Sequence, residues 1–274
     1  MLERFSKSYR IINKEKFVEK LINFSVDQDY FILLNSNNNS DKYDLLCGYG
    51  VKSFIKSSEN SLTKLDNFFE LKKDWLFGYM TYDLRNEIEV LNDDNIDFIN
   101  MPNLYFFQPE IVWVVKGKNV TGLSFDKDLI DNDWKKFNEI SEKEKTENSN
   151  IVKLNLRNSK SEYINKVNKI KERIFRGDCY EMNFCFDLFS EYDEINPYDT
   201  YVKLNNYTKS PMSSFLKVND LFLISSSTER FLSKNGEDII SQPIKGTAKR
   251  GDNPENDKKN INELLSSPKE LSEN

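Results

Sequence analysis

Histidine is absent from all 274 residues. The commonest general acid/base and the commonest metal-binding side chain are therefore missing, and proton transfer falls to Glu, Asp, Lys, Tyr or Cys. Cysteine is scarce: Cys47, Cys179 and Cys185 form no CxxC pair, and their number is odd. This speaks against a zinc site or a disulfide framework and points to reduced thiols that fill space as small apolar residues. No apolar run approaches the roughly 18 residues of a membrane span. Met1-Leu2-Glu3-Arg4-Phe5-Ser6-Lys7 leads into charged sequence without the apolar stretch of a signal peptide. A cytoplasmic chain with no membrane partner is expected. Positive charge is not in excess either: with 31% charged residues and a net charge of -6, the surface is mildly acidic, and nucleic acid is not expected as a partner.

What is present is apolar mass. Twenty Phe and 38% hydrophobic residues suffice for a large core, and the length suits one elaborate domain or two modest ones. Residues 11–125 read as an α+β mixture. A helical stretch near Lys14 to Phe24 precedes strand-like runs such as Tyr30-Phe31-Ile32-Leu33-Leu34 and Ile111-Val112-Trp113-Val114-Val115. Asn35 to Asp41 is a polar loop. The charged stretch at 127–150 has little apolar periodicity and reads as a linker or solvated insertion, dividing the chain into 1–126, 127–150 and 151–274.

Beyond that stretch, Ser159 and Glu162 have capping-box spacing. Tyr163, Val167, Ile170 and Ile174 then recur at helical intervals until Gly177. The period changes to two at Met182, Phe184, Phe186 and Leu188, the pattern of a strand with one apolar face. Further strands at Leu221 to Ser225 and Ile239 to Ser241 each run into a polar loop, where sites commonly form.

Three segments then follow in a telling order: Gly177-Asp178-Cys179-Tyr180-Glu181-Met182-Asn183, Ser227-Thr228-Glu229-Arg230-Phe231, and Pro243-Ile244-Lys245-Gly246-Thr247 with Arg250 after it. Alone, the last is a strand and a turn with an exposed lysine. Together they resemble the chorismate-utilising family of anthranilate, aminodeoxychorismate and isochorismate synthases. Residues 155–274 carry most of the resemblance, while Leu33-Leu34-Asn35-Ser36 and Gly78-Tyr79-Met80-Thr81-Tyr82-Asp83-Leu84 are similar to the family's N-terminal region. The implied fold is α+β, a layered sandwich of large, mostly antiparallel sheets flanked by helices, incomplete at the C-terminus. In relatives, a pair like Glu273-Asn274 is followed by a further long stretch, so the 274-residue chain is expected to be a fragment, inactive by itself.

Within the family, lysine at the position of Lys245 is similar to the aminodeoxychorismate synthase branch, whereas anthranilate synthases carry alanine there. Glu181 stands where water-using members have lysine. Amine-using members usually have glutamine at that position, and Ser-Thr-Glu-Arg-Phe departs from the family's SPERF pattern. The resemblance assigns Lys245 as covalent nucleophile, Glu229 as general acid, and Gly246 and Thr247 as substrate contacts. It further assigns Glu273 as a ligand of Mg2+ that holds a carboxylate of chorismate. Each residue type suits the role it is given, because hydroxide leaves poorly without an acid, and a lysine with a pKa of ~10.4 needs burial or cationic neighbours to attack. The family also implies ammonia from a glutamine amidotransferase partner and a second pocket, similar to a tryptophan site, at Ser36, Tyr43, Pro211, Met212 and Ser213. Two other readings stay open: an anthranilate synthase, or a non-catalytic remnant if the natural chain ends at Asn274.

Overall fold

The computed structural model describes residues 3–40, 42–89, 91, 96–140, 152–191, 195–244 and 246–273. In chain order the elements begin with β1 (Phe5–Arg10), α1 (Lys14–Phe24), β2 (Tyr30–Asn35), β3 (Leu45–Tyr49), β4 (Ser53–Ser57), α2 (Ser61–Lys72) and β5 (Phe77–Met80). They continue with β6 (Leu104–Gln108), β7 (Ile111–Lys116), β8 (Asn119–Ser124), α3 (Lys127–Glu139), β9 (Asn155–Leu156), α4 (Lys160–Arg176) and β10 (Leu188–Phe189). The last are α5 (Pro197–Thr208), β11 (Met212–Val218), β12 (Leu221–Ser227), β13 (Arg230–Asn235), β14 (Asp238–Gln242), α6 (Pro254–Ser266) and α7 (Pro268–Glu273). Residues 1–142 with 201–274 form one compact unit and residues 143–200 a second.

The larger unit is built on a seven-stranded sheet of order β1-β8-β7-β3-β2-β11-β12, antiparallel at every pairing. Its central strands are apolar at successive positions because both faces are covered. On β7, Trp113 faces α3, with its ring 5.3 Å from that of Phe137. Its neighbours Val112 and Val114 belong to a cluster on the opposite face with Ile32, Phe77, Tyr105 and Phe107. Most of those partners come from the three-stranded antiparallel sheet β4-β6-β5. The layers are therefore helices, large sheet and small sheet, which is the α+β sandwich expected from the sequence. At roughly 1.5–3 kcal/mol per fully buried large side chain, aromatic residues such as Trp113, Phe31, Phe107 and Phe215 dominate this core. Gly78 in β5 allows a close approach to β6: a Cβ there would lie 1.9 Å from the carbonyl oxygen of Tyr105.

The helix over Lys14–Phe24 forms where the sequence places it. Asn13 caps it by accepting from Lys16 N at 2.9 Å, and Phe17, Val18, Leu21 and Ile22 form its buried stripe. Residues 127–139 differ from the expected linker. They form α3, capped by Asp126 and buried at Ile130, Asp133 and Phe137. The apolar stripe is narrow and one of its members is an acid, so the charge density hid the helix. Asp133 is 1% exposed and accepts from the Tyr49 hydroxyl at 2.8 Å, which in turn accepts from Trp113 Nε1 at 3.0 Å. Burial, with Asp133 alongside, pushes the Tyr49 hydroxyl pKa well above its ordinary value, so it stays a donor. The grouping of 201–274 with the N-terminal residues likewise differs from a three-part division, because β11 pairs with β2 across the intervening sequence.

In the smaller unit, α4 has the expected capping box: Glu162 N donates to Ser159 Oγ at 3.2 Å, and Ser159 N to Glu162 Oε2 at 2.7 Å. Gly177 ends the helix at φ +82°. The strand expected over 182–188 is confined to Leu188–Phe189, paired with β9. Alternation alone gave the preceding residues no ladder partner among the described residues, although Phe184 and Phe186 do meet the Tyr163 ring at 5.5 and 5.8 Å.

Candidate functional site

The second and third sequence motifs flank the open end of one hairpin. Ser227-Thr228-Glu229 leaves β12 and enters β13 at Arg230, whose register partner on β14 is Gln242. Arg230 Nε donates to Gln242 Oε1 at 2.8 Å and fixes that pairing. Glu229 and the Pro243–Thr247 segment therefore lie within a few residues of a single cross-strand pair, although about fifteen residues separate them in sequence. Glu229 is exposed, and its N–H donates to Ser227 Oγ at 3.1 Å, a turn that sets the direction of the loop. Lys245 lies outside the described residues.

Its neighbour Gly246 has φ +70°, a conformation that favours glycine. A Cβ there would lie 2.0 Å from Glu270 Oε2, so the Glu270 side chain would have to turn aside. That carboxylate oxygen is buried without a hydrogen-bond partner among the described residues. Thr247 is exposed beyond it. The loop is tied down at its far end by Asp257 in α6, which accepts from Arg250 Nε at 2.7 Å, Arg250 Nη2 at 2.6 Å and Gly251 N at 2.8 Å. The Arg250 bonds, with that from Gly251, hold the Asp257 carboxyl down at about 2. Glu273 closes α7, and its side chain lies outside the described residues. Among the described residues no group of three His, Cys, Asp or Glu side chains is arranged to hold a metal ion.

Ser36, Tyr43, Pro211, Met212 and Ser213, far apart in sequence, line one cavity of about 340 Å³ between the end of β2 and the start of β11. Leu34, Leu46 and Met212 make its walls apolar, while Arg230 and Asp44 place one charge of each sign on its lining. Burial raises the Asp44 carboxyl pKa, but hydrogen bonds from Gly117 N and Lys116 Nζ outweigh it and hold the group below its ordinary value. Sequence reasoning missed three residues here. Arg230 serves both the cavity and the hairpin, Glu270 stands against Gly246, and Asp257 clamps the loop. Arg230 stands inside the second motif and Glu270 three residues before Glu273 in sequence, but neither position marks the contact it makes.

A family profile described as chorismate binding enzyme matches residues 25–274. The chain belongs to the chorismate binding enzyme family. Among curated members, it is 26% identical over 216 residues to aminodeoxychorismate synthase component 1 of Bacillus subtilis, covering 72% of this chain and 44% of that protein. It is 28% identical over 209 residues to anthranilate synthase component 1 of Lactococcus lactis, covering 72% and 46%. The crystal structure of anthranilate synthase component I from Streptococcus pneumoniae shares the fold with a TM-score of 0.67 at 20% identity, covering 89% of this chain and 58% of that one. The chain spans about half the length of the curated family members it matches. Among the described residues no helix is long and apolar enough to cross a membrane.

Proposed function

We propose that the protein is the chorismate-aminating component of an aminodeoxychorismate synthase, using Lys245 as a covalent nucleophile. The observation that carries this reading is the hairpin pairing of Arg230 with Gln242, which brings the acid-bearing motif and the lysine-bearing motif to one end. Proximity of an acid and a nucleophile is what the reaction requires.

Glu229 protonates the ring hydroxyl of chorismate, which leaves as water while the Lys245 amine bonds to the ring carbon distal to it and both conjugated ring double bonds shift toward the carbon the hydroxyl left. Ammonia then attacks the carbon that carried the hydroxyl, both double bonds shift back, and the lysine departs with the electron pair of its C–N bond. The proton shed by the incoming ammonia returns to Glu229. The net change is chorismate plus ammonia to 4-amino-4-deoxychorismate plus water, with the enolpyruvyl group retained. Thr247 offers a hydroxyl and a backbone N–H to a substrate carboxylate. Glu273 would hold Mg2+, and the partnerless buried oxygen of Glu270 one turn earlier fits a second oxygen donor; the ion would neutralise a substrate carboxylate. Ammonia is supplied in this reading by a glutamine amidotransferase subunit. Tryptophan is assigned to the cavity of Ser36, Tyr43, Pro211, Met212 and Ser213, with its indole against the apolar wall.

The likeness to an anthranilate synthase supports a second reading, in which ammonia adds directly and pyruvate is lost. Product analysis separates the two. The native gene product, given chorismate, magnesium and an ammonium salt, is expected to form aminodeoxychorismate without releasing pyruvate. Anthranilate with stoichiometric pyruvate would establish the second reading, and intact chorismate would overturn both.

A further inference from the structure

A second cavity, of about 270 Å³, lies between the start of α1, the turn after β2 and the C-terminal half of α5, and shares only Asn35 with the cavity described above. Its floor is a fixed carboxamide network. Asn37, at φ +49°, donates from Nδ2 to Asn205 Oδ1 at 2.9 Å and to the Ser210 carbonyl at 2.7 Å, and its N–H donates to Asn35 Oδ1 at 3.0 Å. Asn205 is 6% exposed with its oxygen committed to Asn37, so its amide N–H groups are the part left to face a ligand.

Two ammonium groups flank this floor. Lys14 donates to Asn38 Oδ1, and Lys209 to Asn206 Oδ1 at 3.2 Å. Both partners are neutral, and among the described residues neither lysine has a carboxylate within 4.0 Å. Burial is the main influence depressing the Lys14 pKa; the charges of Asp44 and Glu15 oppose it, and those of Lys209 and Lys116 add smaller contributions in the same direction as burial. An anion seated between Lys14 and Lys209 would meet an ammonium group on either side and accept from Asn205. Glu15 and Glu19 on the same lining disfavour a dianionic group as compact as phosphate. We propose that this cavity binds a small carboxylate, gripped by Lys14 and Lys209 over the Asn205 amide. This assignment is independent of any catalytic role for the chain.

The test is titration of the full chain with succinate, glutamate and inorganic phosphate, followed by calorimetry or amide chemical shifts. Saturable binding of succinate or glutamate is expected, weakened roughly tenfold or more by either Lys14→Gln or Lys209→Gln, as loss of a charged hydrogen bond predicts. Tighter binding of glutamate than of succinate would make the ligand an amino acid, its amine facing Glu15 and Glu19, while equal binding would make it a simple carboxylate. Circular dichroism checks that the variants keep the fold. Failure of both carboxylates to saturate, preference for phosphate, or unchanged affinity in folded variants would overturn the proposal.

Discussion

Replacing Lys245 by alanine is expected to change the product from aminodeoxychorismate to anthranilate. In the proposed reaction the lysine occupies the ring carbon distal to the departing hydroxyl, so ammonia enters where the hydroxyl was. An alanine leaves the distal carbon open, and ammonia that adds there sets up loss of the enolpyruvyl group as pyruvate and aromatisation of the ring. The effect is one of identity rather than rate, with anthranilate becoming the main product, and it is read by chromatography of products from wild-type and variant proteins. A protein damaged only in folding would make less of the same product. Continued formation of aminodeoxychorismate by the variant would remove Lys245 from the mechanism.

The second large effect is expected at Glu229. Glu229→Gln keeps size and hydrogen bonding but removes the proton that turns hydroxide into water, and a positioned general acid contributes on the order of 10²–10⁴ in rate. The expected result is a fall of that size in kcat with KM for chorismate within a few-fold of wild type, measured by steady-state kinetics. Glu229 stands exposed at the mouth of the β13–β14 hairpin, so the substitution touches no buried contact. A rate within about tenfold of wild type would assign the proton to another group.

Much of the fold was legible from local signals. Asn13 and the Ser159–Glu162 box marked helix starts, Gly177 marked an end, and the apolar runs at Tyr30–Leu34 and Ile111–Val115 lie in central strands of the large sheet. These features succeed because each depends on residues within one or two turns. Helix α3 was hidden for the opposite reason: Asp133 looks like a solvated charge until Tyr49 and Trp113, far away in sequence, bury it. The run from Met182 to Phe186 shows the same limit, since alternation records which side chains share a face but not whether a partner strand exists.

The candidate site divides in the same way. The motifs gave residue types and order, and the cavity at Ser36, Tyr43, Pro211, Met212 and Ser213 assembles residues that the family resemblance had already grouped. The register of Arg230 against Gln242, the contact of Glu270 with Gly246 and the clamp of Asp257 on Arg250 are tertiary facts with no periodic signature. Gly246 follows the lysine because its φ of +70° favours glycine, and a larger side chain would also have to displace the Glu270 carboxylate.

The central claim is that chorismate becomes bonded to Lys245. The most direct measurement is peptide mass mapping of the native gene product, quenched after incubation with chorismate and magnesium in the absence of ammonia. A peptide containing Lys245 heavier by chorismate less one water, and cleared when ammonium is added, is the predicted result. Aminodeoxychorismate formed on later addition of ammonium, with Lys245 unmodified at every earlier time, would contradict it.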